Sequence, residues 1–158
     1  MARPLRRRLG MLLLAALILL LDQVSKAWAL DHLASGNIRP LLPGLLQLQR
    51  VSNTGAAFSL FSGASIQLGV ISALVSLGLL VWILWRPPVG LWNGLALGLL
   101  LGGALGNGID RWRYGAVVDF LEFLPIHFPI FNLADVAINL AVACFFIDLL
   151  RPHADRHP

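Results

Sequence analysis

Two aspartates stand in apolar stretches of this 158-residue chain and could do chemistry together. Asp119 lies in GAVVDFLEF, and Asp135 lies in FNLADVAIN, just before a long apolar run. Two carboxylates brought close in a poorly solvated site cannot both ionise, so such a pair shares one proton. The ionised member can take a proton from water while the neutral member donates a hydrogen bond to a peptide carbonyl. The two aspartates therefore predict aspartic-protease chemistry, which needs neither a metal nor another cofactor.

Other kinds of site fit the sequence less well. The chain has no H-E-x-x-H zinc motif and no G-x-S-x-G serine motif. Its four histidines, at positions 32, 127, 153 and 157, lack helical ligand spacing, and His127 is best explained as a surface loop residue. Carboxylates inside membranes also serve proton relays. A small proton-coupled carrier, or an accessory membrane subunit that uses Asp135, is therefore the alternative to a peptidase.

The composition is that of an integral membrane protein. Hydrophobic residues make up 58% of the chain and charged residues only 13%, whereas a soluble domain carries about a quarter charged residues. The net charge of +4 comes from scattered arginines, which does not indicate a nucleic-acid partner. The lone cysteine, Cys144, cannot form an internal disulfide.

Four segments are long and apolar enough to span a membrane, since a spanning helix needs roughly 20 mainly apolar residues. They are residues 9–30, 66–85, 91–109 and 131–150. The expected fold is an all-α membrane protein in which four transmembrane helices form one domain, residues 1–158. The first segment also resembles a cleavable signal peptide, with Ala27-Trp28-Ala29 as its A-x-A site. We interpret it as a retained anchor because Asp22 and Lys26 precede that site.

The arginines predict the orientation of these helices. With a cytoplasmic N-terminus, seven arginines lie on the inner side and four on the outer side, which favours both termini in the cytoplasm. Residues 31–65 and 112–130 then lie outside. The alternation in LLQLQRV predicts a short strand of a small extracytoplasmic sheet. The aromatic stretch 112–130, with Pro125 and Pro129, is expected to be a loop.

Small and polar residues on the helices predict how these pack. Gly94, Gly98, Gly102 and Gly106 recur every four residues, a pattern that lets membrane helices approach closely. Asp22 and Lys26 are spaced i,i+4 and are expected to form an ion pair.

Two further polar sets lie near the expected outer surface. Asn107, Asp110 and Arg111 share a helix face, where ion pairing between helices and a substrate role are both open. Asn132, Asp135 and Asn139 form one polar stripe on the last helix.

Five segments in this order resemble bacterial lipoprotein signal peptidase, also called signal peptidase II. They are DQVSK, NTGAAFS, GGALGNGIDR, VVDF and FNLAD, and the resemblance covers essentially the whole chain. It implies an aspartyl endopeptidase of the bacterial inner membrane, with its active site near the outer face. The implied substrates are prolipoproteins whose cysteine carries diacylglycerol, and cleavage occurs just before that cysteine.

The resemblance also implies roles for individual residues. Asp119 and Asp135 become the catalytic dyad. Residues that line or support the substrate site are Asn53, Gly55, Asn107, Asp110, Arg111 and Asn132. Asp22 and Lys26 stabilise the surrounding fold, and the partners are prolipoproteins and membrane lipids, with no metal. Gly108 departs from the family pattern, which more often has a larger apolar residue there, and this affects only local packing.

Overall fold

The computed structural model describes residues 2–56, 60–86, 90–126 and 128–151, so His127, His153 and His157 lie outside the described residues. The described part contains four long helices and one three-stranded sheet. In chain order the elements are α1 (Ala2–His32), β1 (Ile38–Leu42), β2 (Leu46–Asn53), α2 (Ser65–Trp85), α3 (Leu91–Tyr114), β3 (Val117–Phe123) and α4 (Leu133–Leu150). A 3₁₀ turn, Leu124–Ile126, follows β3.

Three of these helices are long and apolar enough to cross a membrane, namely Leu5–His32, Ser65–Trp85 and Leu133–Leu150. Large apolar side chains such as Leu17 and Leu74 are exposed on the outside of the bundle. This distribution is that of an integral membrane protein. The fully described helix α3 is not among the three because six glycines and two asparagines dilute its apolar residues. A fourth span therefore stays a prediction.

Helix α3 lies at the centre of the bundle and contacts α1, α2 and α4. The predicted glycine strip packs against α1. A Cβ atom added at Gly102 would lie 2.8 Å from the Ala15 carbonyl oxygen, and at Gly98 and Gly106 it would also meet atoms of α1. The packing role of the strip is thus confirmed at these three glycines, since only a residue without a side chain allows this approach.

Gly108 allows the close approach of α2 to α3. A Cβ atom built there would lie 3.1 Å from the Ser72 Cβ, which is tighter than ordinary van der Waals contact. A larger apolar residue at this position would require the two helices to move apart.

Three helix bounds differ from the predicted ones. α1 begins at Ala2 rather than near residue 9, and α4 begins at Leu133 rather than near residue 131. α3 continues to Tyr114 rather than ending near residue 109. It ends where Gly115 adopts a left-handed φ of 71° and its N–H donates to the Arg111 carbonyl oxygen at 3.1 Å. The polar residues near the end of α3 suggested that the helix stops earlier. They are buried only because neighbouring elements cover them, and the local sequence does not show this.

The sheet has the order β1-β2-β3 with antiparallel pairing throughout. The predicted strand in LLQLQRV is confirmed as β2. The prediction that residues 112–130 form a loop is wrong, because Val117–Phe123 forms strand β3 and places Asp119 opposite Val51. Valine and phenylalanine favour strands, and the two prolines lie beyond the end of β3. Asp119 is therefore held by a sheet rather than by a loop.

Candidate active site

Asp119 projects from β3 into a nearly closed environment, with an exposed fraction of only 1%. Its carboxylate accepts one hydrogen bond at each oxygen. Oδ2 accepts from the Asn53 side-chain amide at 3.0 Å, and Oδ1 accepts from the Asn132 amide at 2.6 Å. Pairing of β3 with β2 brings Asn53, the last residue of β2, to this carboxylate.

Asp135 is positioned by the beginning of α4. Asn132 caps the helix, and its side-chain oxygen accepts from the Asp135 backbone N–H at 3.0 Å. In return, Asp135 Oδ2 accepts from the Asn132 backbone N–H at 3.2 Å, which completes a capping box. Asp135 Oδ1 accepts from the Asn107 amide of α3 at 2.8 Å. The first turn of the helix thus fixes the carboxylate toward α3 and the sheet.

The two aspartates converge, as the sequence predicts. Asn132 contacts both, and both line one cavity of about 560 Å³. The polar wall of this cavity includes Asn53, Asn107 and Arg111. The other lining residues include residues 128–131 and Ile138, which are apolar. A peptide backbone could reach the carboxylates from this cavity while its side chains contact these apolar residues.

The environment of Asp119 favours its protonated form. Burial raises the pKa of Asp119 from 3.8 to about 6, and the nearby charge of Asp135 acts in the same direction. Hydrogen bonds from Asn53 and Asn132, and the charge of Lys26, oppose this rise. Desolvation and a neighbouring carboxylate are the two effects expected for a dyad that shares a proton.

Arg111 lines the same cavity and is held by backbone carbonyl groups. Its guanidinium donates to the Gly55 oxygen at 2.9 Å and to the Asn107 oxygen at 3.2 Å. Neither ion pair found among the described residues includes Arg111. Of the two adjacent charged residues, Asp110 forms the ion pair between helices, with Lys26 of α1. The choice between ion pairing and a substrate role stays open for Arg111.

Gly55 connects this arginine to the sheet. Its N–H donates to the Asn53 side-chain oxygen at 2.9 Å, so the turn orients the amide that contacts Asp119. A Cβ atom added at Gly55 would lie 2.6 Å from the Leu60 carbonyl oxygen, a distance that requires backbone movement. Only glycine fits this turn without such a shift.

The residues predicted to stabilise the site form a buried ionic cluster. Lys26 Nζ lies 2.8 Å from Asp22 Oδ2 and 2.9 Å from Asp110 Oδ2. The predicted Asp22–Lys26 pair is confirmed, and Asp110 joins it from α3. Asp22 Oδ1 also accepts from the Ala134 N–H of α4, while Asp110 Oδ2 accepts from the Val118 N–H of β3. The cluster thereby ties α1 and α3 to the two elements that carry the dyad.

Sequence reasoning did not single out Gln23. Its side-chain amide donates to Asp110 Oδ1 at 2.9 Å and to the Gly106 carbonyl oxygen at 3.3 Å. Its position inside DQVSK, as a polar residue within an apolar helix, was the available signal. Asn139 lines the cavity, but its amide donates to the Asp135 backbone oxygen rather than to the carboxylate.

Comparison with known proteins agrees with this geometry. Residues 14–151 match the family described as signal peptidase (SPase) II. The chain is 55% identical over 143 residues to the lipoprotein signal peptidase of Parasynechococcus marenigrum (strain WH8102), covering 90% of each protein. It is 56% identical over 146 residues to that of Synechococcus sp. (strain RCC307), covering 92% of this chain and 97% of the relative.

A solved structure shares the fold. It is a bacterial membrane enzyme determined by the in meso method at 2.3 Å resolution, and it superposes with a TM-score of 0.82 at 31% identity. The superposition covers 89% of this chain and 87% of that one.

Proposed function

The chain belongs to the signal peptidase II family, and we propose that it removes signal peptides from prolipoproteins. Cleavage falls just before a cysteine that already carries diacylglycerol, and the reaction is that of an aspartyl endopeptidase. The observation that carries this proposal is the bridge from Asp119 through Asn132 to Asp135 at one cavity. This bridge supports a mechanism in which both carboxylates act on the same peptide bond.

The proposed reaction gives each aspartate a separate task. Asp135 takes a proton from water as the water oxygen bonds to the scissile carbonyl carbon. Asp119 is the protonated member and donates a hydrogen bond to the carbonyl oxygen on which negative charge develops. Collapse of the tetrahedral intermediate breaks the C–N bond, and the leaving nitrogen takes the proton from Asp135. The deep burial and raised pKa of Asp119 support this division, whereas Asp135 is only partly buried.

The surroundings of the cavity suit a lipid-modified substrate. A second cavity of about 260 Å³ adjoins the first and shares Phe128, Phe131, Asp135 and Asn139 with it. Apart from Asp135 and Asn139, all its lining residues are apolar, and two of them, Val136 and Leu140, line the second cavity but not the first. An acyl chain or the apolar part of a signal peptide would bury hydrocarbon there while the scissile bond lies at the carboxylates.

We propose that all four long helices span the bacterial inner membrane as one domain. Three meet the length and composition criterion, and α3 is surrounded by them. Both termini then lie in the cytoplasm, and the dyad lies near the outer face. Reporter fusions after Pro158 and within residues 31–50 test this, with the first expected inside and the second outside. A C-terminal fusion that reports the outer face would contradict the four-span arrangement.

Cleavage of a defined peptide tests the enzymatic proposal. The purified protein is incubated with a synthetic prolipoprotein peptide whose cysteine carries diacylglycerol, and mass spectrometry locates the cut. Cleavage directly before the cysteine is expected, with little cleavage of the same peptide lacking the lipid. Activity that disappears with a chelator and returns with zinc would contradict the aspartyl mechanism.

A further inference from the structure

Lys26 has one contact that its ion pairs do not explain. Its side chain is 2% exposed, and two of its acceptors are Asp22 and Asp110. The third is the Asn107 side-chain oxygen, 3.0 Å from Nζ. An ammonium group has three N–H donors and no acceptor. The third donor of Lys26 is therefore directed at a neutral amide that itself contacts the dyad.

This contact determines the orientation of the Asn107 amide. Because Lys26 can only donate, the Asn107 atom that faces it must be the oxygen. The same oxygen accepts from the Asn132 amide at 3.1 Å, so two donors fix it. The Asn107 NH₂ group then points to Asp135 Oδ1 at 2.8 Å. An Asn107 flipped by 180° would place its oxygen against the Asp135 carboxylate and lose both donors.

We propose that Lys26 is a positioning residue for the dyad, acting through Asn107 to direct an N–H donor at Asp135. This inference rests on the proposed function and deepens it. Asp135 keeps its place and its role as hydrogen-bond acceptor because Asn107 cannot turn. In a purely structural role, Lys26 would balance the charges of Asp22 and Asp110, and Asn107 would be an incidental neighbour. The two roles predict different kinetics.

The test separates the donor of Lys26 from its charge. Lys26→Met removes both, so it is combined with Asp110→Asn, which keeps the net charge of the three-residue cluster at −1. Lys26→Gln in the same background restores an N–H donor without the charge. Because misplacement of a catalytic group by about 1 Å can cost about 100-fold in rate, the methionine variant is expected to lose about 10- to 100-fold in kcat. KM should stay within about twofold, and glutamine should recover part of kcat.

A double-mutant cycle shows whether Lys26 acts through Asn107. In the Asp110→Asn background, Lys26→Met should lower kcat strongly when residue 107 is asparagine. It should lower kcat little further when Asn107→Leu is already present. Leu101→Ala, in the apolar core away from the dyad, is the stability control, and it should lower Tm without changing kcat well below Tm.

Each outcome decides the inference. The inference is supported if the Lys26→Met and Asn107→Leu double variant loses less kcat than the product of the two single losses, and if Lys26→Gln recovers part of kcat. Losses that multiply independently, or a kcat that changes only as Tm changes, overturn it. If the methionine variant does not fold, Lys26→Leu, which also lacks an N–H donor, is cycled against Asn107→Leu in the same background and decides in the same way. Absence of cleavage by the unmodified protein would overturn the proposed function and this inference with it.

Discussion

The two halves of α3 are built on different physical principles. In the glycine half, residues 91–103, Gly98 and Gly102 bring α1 close, and Leu97 and Leu101 pack with Met11, Ala15 and Ile83. In the polar half, residues 104–114, Gly106 and Gly108 also allow close packing. The side chains of Asn107, Asp110 and Arg111 there are held by hydrogen bonds and one ion pair. The first half is held mainly by close packing, whereas the polar side chains of the second half are held by hydrogen bonds whose donors and acceptors must match.

This difference separates stability from chemistry within a single helix. Contacts between apolar surfaces have little direction, so they tolerate changes that conserve volume. A buried polar group needs its own partner with the correct donor or acceptor, and loss of either leaves an unsatisfied group. Changes to the polar side chains of residues 104–114 should therefore affect turnover or substrate binding, whereas changes in the glycine half should affect stability alone.

The largest effect is expected at the carboxylates that the polar half faces. Asp119→Asn and Asp135→Asn keep side-chain size but remove the group that carries or accepts a proton. Each should lower cleavage of the lipid-modified peptide by about 10²–10⁴-fold or more. Circular dichroism and a detergent melting curve serve as the control, since both variants should remain folded. Near-normal turnover by either variant would show that the dyad is assigned wrongly.

Arg111→Lys should have the next largest effect, chiefly on KM. Arg111 reaches two carbonyl oxygens with one planar group, and the ammonium of lysine can occupy only one of these positions. The turn at Gly55, which adjoins the cavity, then loses a charge-assisted hydrogen bond worth about 1.5–3 kcal/mol. We expect KM to rise about tenfold, since 1.4 kcal/mol corresponds to a factor of ten, with a smaller loss in kcat.

Arg113→Lys is the matched control for this variant. Arg113 lies on the same helix, is exposed, and has its guanidinium 5.2 Å from the Tyr114 ring centre. Its replacement should leave KM and kcat unchanged. An Arg111→Lys variant with an unchanged KM and a lowered Tm would mean that this arginine serves only the fold.

Substitutions in the glycine half should lower stability without lowering kcat. A Cβ atom at Gly102 would lie 2.8 Å from both the Ala15 oxygen and the Ile18 Cβ, so α1 and α3 must separate. Overpacking of this kind costs about 1–3 kcal/mol, and Gly102→Ala should lower Tm by several degrees. In Gly78→Ala the new Cβ meets nothing within 4 Å, so Tm should stay the same or rise slightly. A kcat reduced by Gly102→Ala at low temperature would contradict the separation of the two halves.

Sequence reasoning was most successful where the signal is local. The apolar runs predict α2 and α4 to within a few residues, and carboxylates in apolar stretches indicate Asp119 and Asp135 as the pair. The capping box was not predicted, although the spacing of Asn132 and Asp135 is a local signal for it.

The remaining features depend on contacts between distant residues. Strand β3 was missed because its partner β2 lies more than sixty residues earlier, and no local pattern specifies that register. The end of α3 was missed because Asn107, Asp110 and Arg111 resemble surface residues until α1 and α4 cover them. The contact between Lys26 and Asn107 joins residues 81 positions apart. Each of these features belongs to the packing of one element against another.

The smallest expected effect concerns the pH dependence of stability at Asp119. The folded state holds the Asp119 proton up to about pH 6, whereas an unfolded chain releases it near 3.8. Between these values the folded state binds more protons, so this residue makes the protein less stable as pH rises. A shift of about two pKa units corresponds to about 3 kcal/mol at most, and sharing of the proton with Asp135 reduces this.

The asparagine side chain of Asp119→Asn does not titrate. The Tm of this variant minus that of the unmodified protein should therefore become more positive by a few degrees from pH 4 to pH 8. A difference that stays constant, or changes in the opposite direction, would mean that Asp119 ionises as freely as a surface carboxylate.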